Sequence, residues 1–319
     1  MRYILFISLI LSAFYVYCGS HNHQQASAIT WQPNGGRFGD NLLSYAKTKW
    51  LARNHNLQLL YLPFDYSDQL LLSEQETMLT PEREKQFLRT KYIPLSTFTP
   101  SLNKNILYIN HWRAKTIIDW SDLEFVEELK KTIAPRYPLE KVTIPTDCLS
   151  IAVHIRTGGG FGADTQQEKD RCPLRFVAPE FYIQQIQRMV DKFPAEKIYV
   201  HIFTDHQKPE ELVEIFKKSL KNKSISFGWR EQNHHNKNVL EDFFSMMDFD
   251  CLIRPGSHYS RFVERLGNNK IVIFPESVKK TSSGKKIITS IVIKTRKENG
   301  TWKREQIELE GNDKKFISL

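Results

Sequence analysis

The chain has 319 residues, 40% of them hydrophobic and 12% aromatic, which is enough for packed cores in two domains of ordinary size and excludes a disordered chain. A formal net charge of +9 and a pI near 9.2 suit a polyanion, a membrane surface or an anionic small molecule. No early block of Lys and Arg interleaved with aromatics occurs, so nucleic acid is not expected as a partner.

Residues Tyr3 to Tyr17 are almost wholly apolar, preceded only by Arg2 and followed by no charged residue until Arg37. Such a run has the regions of an export signal and falls short of the ~20 residues of a membrane-spanning helix. Residues 1–28 are therefore expected to be a signal peptide or an uncleaved anchor, giving an exported or membrane-anchored chain. Ala26-Ser27-Ala28 offers small residues for cleavage, whereas Tyr17 is too bulky for lipidation at Cys18. Cys148, Cys172 and Cys251 share no metal-ligand spacing, and neither zinc nor a disulfide framework is expected.

From Ala28 a short strand, AITW, leads into a glycine turn, Gln32 to Asn41, and then a helical pattern carried by Leu42, Leu43, Tyr45, Ala46, Trp50 and Leu51. Asp40 is placed to cap that helix. Glycine turns at helix N-termini bind anions, so Gly36, Gly39, Asp40 and Asn41 are candidate substrate contacts; a structural turn is the alternative. Leu57 to Tyr61 is the next strand, and the β-α-β order predicts a parallel sheet. Asp65 to Pro100 is polar and irregular, with a helical pattern in EREKQFL. Ile106 to Asn110 reads as a strand and Asp122 to Ile133 as an amphipathic helix. Pro135, Pro138 and Pro145 then mark a linker, giving an N-terminal Rossmann-like domain over 29–145.

The stretch IAVHIRTGGGFGAD, Ile151 to Asp164, opens the second domain, 146–276. Leu149, Ile151, Val153 and Ile155 form one buried face, His154 and Arg156 stand where the strand ends, and four glycines follow. A forked cation just before a glycine loop suits phosphate; a strand capped by a flexible loop is the alternative. Alternation then continues. Helices are expected at Pro179–Phe193, Pro209–Leu220, Val239–Phe249 and Arg261–Gly267, and strands at Lys197–Thr204, Ser224–Phe227, Cys251–Arg254 and Lys270–Phe274. Residues 277–319 alternate apolar and polar around Glu298-Asn299-Gly300, which predicts an appended β-hairpin, exposed and basic.

Four stretches in one order, GGRFGDNLLSYA, IAVHIRTGGG, IFTDHQ and DFFSMMDFDCLIRPGSHYS, resemble motifs shared by α-1,2-, α-1,6- and protein O-fucosyltransferases, most nearly the family 11 type. They span residues 35 to 260. The resemblance implies an α/β, GT-B-like enzyme of two Rossmann-like domains with a C-terminal β-hairpin extension, GDP-fucose on the second domain and a glycan acceptor in the cleft. Arg156 matches the arginine that holds the donor β-phosphate, and it would stabilise departing GDP without a metal. His154 and Asp242 match residues that contact guanine, and Ser257 and Ser260 match hydroxyl positions near the phosphates. The sequence departs from the family at Thr157, where a second arginine is usual, at Gly159, where an acidic residue is usual, and at Asp40 and Asn41, where Asn and Gln are usual.

An inverting transfer also needs a base for the acceptor hydroxyl. Asp164 is the first candidate and Asp40 the second, with turn formation and helix capping as their structural alternatives. A rival enzyme reading takes Asp248 and Asp250 as a metal-holding D-x-D pair. A non-catalytic exported glycan-binding protein is a third possibility.

Overall fold

The computed structural model describes residues 26–94, 98–101, 105–158, 165–194, 196–234, 236–280, 282 and 286–309. The chain forms two compact units. The first takes in residues up to Gln32 with Thr48–Leu62 and Thr77–Thr116; the second takes in Pro33–Lys47, Pro63–Glu76 and Ile117–Leu319.

The first unit holds a parallel sheet. Strands β1 (Ala28–Trp31), β2 (Gln58–Tyr61), β3 (Thr77–Met78), β4 (Arg89–Tyr92) and β5 (Ile106–Asn110) lie in the order β3-β2-β1-β5-β4. Ala28 stands between Gln58 and Leu107, and Ala28, Leu60, Phe87 and Leu107 form a core cluster. The helix expected across EREKQFL is the single turn Pro81–Glu84, and the chain then becomes β4. All four residues of β4 are exposed, so no apolar alternation marks it as a strand.

The second unit holds seven strands: β6 (Leu149–Ile155), β7 (Ile198–Thr204), β8 (Ile225–Trp229), β9 (Cys251–Ile253), β10 (Ile271–Lys280), β11 (Lys286–Arg296) and β12 (Trp302–Glu308). Their order is β12-β11-β10-β9-β6-β7-β8, with β10 through β8 parallel. The five parallel strands thus have the Rossmann order 3-2-1-4-5. Helices Pro179–Lys192 and Pro209–Ser219 supply Phe181, Ile186, Val213 and Phe216 to a core shared with Ile151, Val153, Val200 and Ile253. Burial of β6 on both faces fits its central place in a parallel sheet.

Two features depart from the sequence expectation. The sequence ends β10 at Phe274, before Pro275, yet the strand runs on through a register shift at Pro275 and Ser277, where a bulge accommodates the missing N–H. The tail is not a free, exposed ribbon either. β11 pairs antiparallel with β10 and extends the main sheet, burying Ile288, Ile291 and Val292.

Candidate functional site

Chain connectivity reverses between β6 and β9, and open α/β sheets bind ligands outside the carboxyl ends of such strands. A pocket of the second unit lies at that point, lined by His154 at the end of β6, Arg156 just past it, and Ser257, His258 and Tyr259 after β9. The space within it, open mouth included, is about 810 Å³.

Glycine turns and one carboxylate build the cationic side. Asp205, just past β7, accepts from the Thr157 amide at 2.7 Å and hydroxyl at 3.1 Å, and pairs with Arg37 at 3.2 Å. It therefore anchors the segment leaving β6 and turns Arg37 into the pocket. Arg175 arrives by a different route. The Leu174 carbonyl accepts from the Gly256 amide at 2.6 Å, and a Cβ on Gly256 would stand 3.0 Å from that oxygen, so the turn beside it packs against the chain leaving β9. The Arg156 guanidinium lies 5.7 Å from the centre of the Phe176 ring.

Three guanidiniums, Arg37, Arg156 and Arg175, thus share one pocket wall. Burial first, and then the charge of Arg37, pull Arg156 down to about 10, with Asp205 opposing; it stays a cation at neutral pH. A desolvated cation crowded by like charges gains most when an anion joins it. Burial likewise pulls His154 down to about 3, so its imidazole is neutral, and its Nδ1 is buried with no partner among the described residues.

The Ser257 hydroxyl occupies the N-cap position of helix His258–Leu266 but makes no capping bond. Its Oγ is buried, faces the pocket wall and has no partner among the described residues. A hydroxyl beside free helix N–H groups is a natural contact for an anion. The helix begins three residues before the expected Arg261, which brings His258 and Tyr259 into its first turn. Tyr259 donates to the Val239 carbonyl at 2.6 Å and so ties this helix to the start of Val239–Met246.

Asp242 sits in that second helix and adds a carboxylate to the pocket lining. Arg230 Nε donates to it at 2.7 Å and Asn233 Nδ2 at 3.2 Å. It is not the solvated helix residue that its spacing also allows, because it is only 7% exposed. Burial pushes its carboxyl up to about 6 against the pull of Arg230.

Asp40 does not cap its helix. Helix Phe38–Asn54 starts before it, with the Arg37 carbonyl accepting from the Asp40 and Asn41 amides at 2.9 and 3.1 Å. The Asp40 carboxylate turns to His258 instead, Oδ1 to Nδ1 at 2.6 Å. Burial raises its pKa, but the hydrogen bond and charge of His258, with Arg175 and Arg156, more than offset that and hold it below the usual carboxylate range.

Of the residues singled out from sequence, His154, Arg156, Asp40, Gly39, Asp242 and Ser257 meet in this lining. Gly36, Asn41 and Ser260 are not among the lining residues: Asn41 Nδ2 donates to the Gly36 carbonyl at 2.7 Å and closes the turn, while Ser260 is fully buried. Asp164 lies outside the described residues. Asp248 and Asp250 do not act as a pair, since Asp248 binds Lys141 at 2.8 Å and Asp250 binds Lys270 at 2.8 Å and the Ser150 hydroxyl at 2.8 Å. Among the described residues no helix is long and apolar enough to cross a membrane, and the apolar N-terminal run lies outside them. Sequence reasoning missed Arg37, Arg175, Asn233 and His258. Arg37 and His258 lay inside quoted motif stretches, whereas no chain signal marks Arg175.

No protein-family profile matches the chain, and no curated protein matches it. Solved structures show similarity of outline. A FUT1 mutant of Arabidopsis thaliana in complex with GDP is 12% identical, at a TM-score of 0.46 over 83% of this chain and 74% of that one. The fucosyltransferase NodZ from Bradyrhizobium is 14% identical, at 0.44 over 78% and 96%. The NodZ α-1,6-fucosyltransferase soaked with GDP-fucose is 12% identical, at 0.43 over 89% and 99%.

Proposed function

We propose that this protein is an inverting glycosyltransferase that needs no metal and moves fucose from GDP-fucose to a hydroxyl of a glycan. The observation that carries this reading is the meeting of Arg37, Arg156 and Arg175 with the Ser257 hydroxyl, which has no partner among the described residues, at a Rossmann switch point. Fixed guanidiniums aimed at one place stabilise charge that develops there, and a nucleoside diphosphate gains charge as the bond from the anomeric carbon to its phosphate oxygen breaks. Arg156 is assigned the β-phosphate, with Arg37 and Arg175 sharing the load. Asp242, hydrogen-bonded to Asn233, is assigned the guanine ring of the donor, because a carboxylate accepts from the adjacent ring N–H and amino N–H of guanine. Fucose as the sugar, and family 11 as the nearest relation, rest on the motif resemblance.

A donor screen tests this. GDP-fucose is expected to be hydrolysed faster than other GDP- and UDP-sugars, with turnover unchanged in excess chelator. Arg156→Ala is expected to lower kcat by about 10²–10³-fold, the cost of losing one oxyanion donor. Full turnover by that variant, or loss of turnover in chelator, would discredit the assignment.

A further inference from the structure

Asp40 and His258 form a pair that the phosphate-binding wall does not use. Asp40 belongs to the first turn of helix Phe38–Asn54, His258 to the first turn of helix His258–Leu266, and both line the pocket. The geometry points to His258 as the general base of the transfer, with Asp40 as the positioning residue that fixes its ring. This rests on the glycosyltransferase reading above.

Asp40 is ionised and can only accept, so the 2.6 Å contact requires the proton on His258 Nδ1. In the neutral ring that tautomer leaves a lone pair on Nε2, for which no hydrogen-bond partner exists among the described residues. The ring is not sealed away, since its side chain is 31% exposed. Asp40 itself is the poorer base: its carboxylate is held below the usual range and one of its oxygens is already engaged by the ring. Besides His258, the charges that act on Asp40 are those of Arg175 and Arg156, and the pocket lining also carries Arg37, Asp65, Asp205, Lys237 and Asp242.

Nε2 takes the proton of the acceptor hydroxyl, the acceptor oxygen forms its bond to the anomeric carbon, and the bond from that carbon to the phosphate oxygen breaks with its electron pair leaving on the diphosphate. The proton rests on an imidazolium paired with Asp40 and then passes to solvent. This is the orienting logic of a carboxylate behind a histidine, on a different fold and toward a different electrophile.

The acceptor glycan is unidentified, so water and azide serve as probes with GDP-fucose as donor. Water needs its proton removed and azide does not. His258→Ala is expected to lower hydrolysis by at least ~100-fold, to bind GDP within about threefold of the unsubstituted protein, and to return to within about threefold of it when azide is the nucleophile. Asp40→Asn, in which the ring loses its fixed tautomer, is expected to show a smaller loss, with the same azide rescue. Retained hydrolysis in His258→Ala, or a loss that azide does not repair in a variant that still binds GDP, would overturn the assignment of the base alone. If His258→Ala fails to bind GDP, His258→Gln takes its place and is judged by the same two rates. An unsubstituted protein that consumes no donor with either nucleophile would overturn the glycosyltransferase reading, and the base assignment with it.

Discussion

His154 and His201 stand on neighbouring strands β6 and β7, only 9% and 4% exposed, and burial pulls each imidazole down to about 3. Unfolded, both would titrate near 6.5. Between about pH 6 and 4.5 the unfolded chain therefore holds two protons that the native one lacks. Asp242 works the other way, because its native carboxyl is pushed up to about 6 from an ordinary 3.8 and keeps one proton that the unfolded chain has released. For these three groups two minus one leaves about one proton taken up on unfolding, so together they make stability fall as pH falls through that window. We expect the urea midpoint to drop steadily from pH 6 to 4.5 and the slope to flatten in His201→Phe. A midpoint that holds or rises in acid would contradict this. The neutral state of His154 also bears on the site: a buried, uncharged ring adds no positive charge to the wall that carries Arg37, Arg156 and Arg175.

At the scale of elements, the early start of helix Phe38–Asn54 has a packing consequence. The helix pattern begins at Leu42 in sequence, yet the helix starts at Phe38, and its first turn meets another backbone at Gly39, where a Cβ would stand 2.5 Å from the Tyr259 amide nitrogen. Gly to Ala inside a helix usually stabilises by ~1 kcal/mol. Here the clash is with backbone, and Gly39→Ala is expected to cost about 1–3 kcal/mol in denaturant unfolding; a gain in stability would show that the two helix starts do not press on each other. The central strands were readable for a simple reason: β1, β2, β5, β6, β7 and β9 are nearly all buried and so nearly all apolar. β4 was not, since its Arg89-Thr90-Lys91-Tyr92 is exposed and joins the sheet through backbone bonds to β5 that any side chain permits. The same limit applies to the site. Residues at strand ends, such as Arg156 and Asp205, announce themselves by position, whereas Arg175 reaches the pocket through a contact between Leu174 and Gly256 that no spacing in the chain encodes.

For the molecule as a whole, the net charge of +9 acquires a local meaning in the second unit, where three arginines converge on one pocket. The two parallel sheets follow from β and α alternation that is visible in the sequence; the continuation of the second sheet through β11 and β12 follows from apolar residues such as Ile288 and Ile291 that find cover only after the fold forms. The central claim is that this arginine wall binds the second phosphate of a guanine nucleotide. Its most direct test is a calorimetric comparison of GDP with GMP in the unsubstituted protein and in Arg156→Ala. GDP is expected to bind at least ~10-fold more tightly than GMP, as one charge-assisted contact of about 1.5–3 kcal/mol requires, and Arg156→Ala is expected to shrink that ratio to threefold or less while GMP affinity stays nearly constant. Equal affinity for the two nucleotides, or a preference for GDP that survives the substitution, would contradict it.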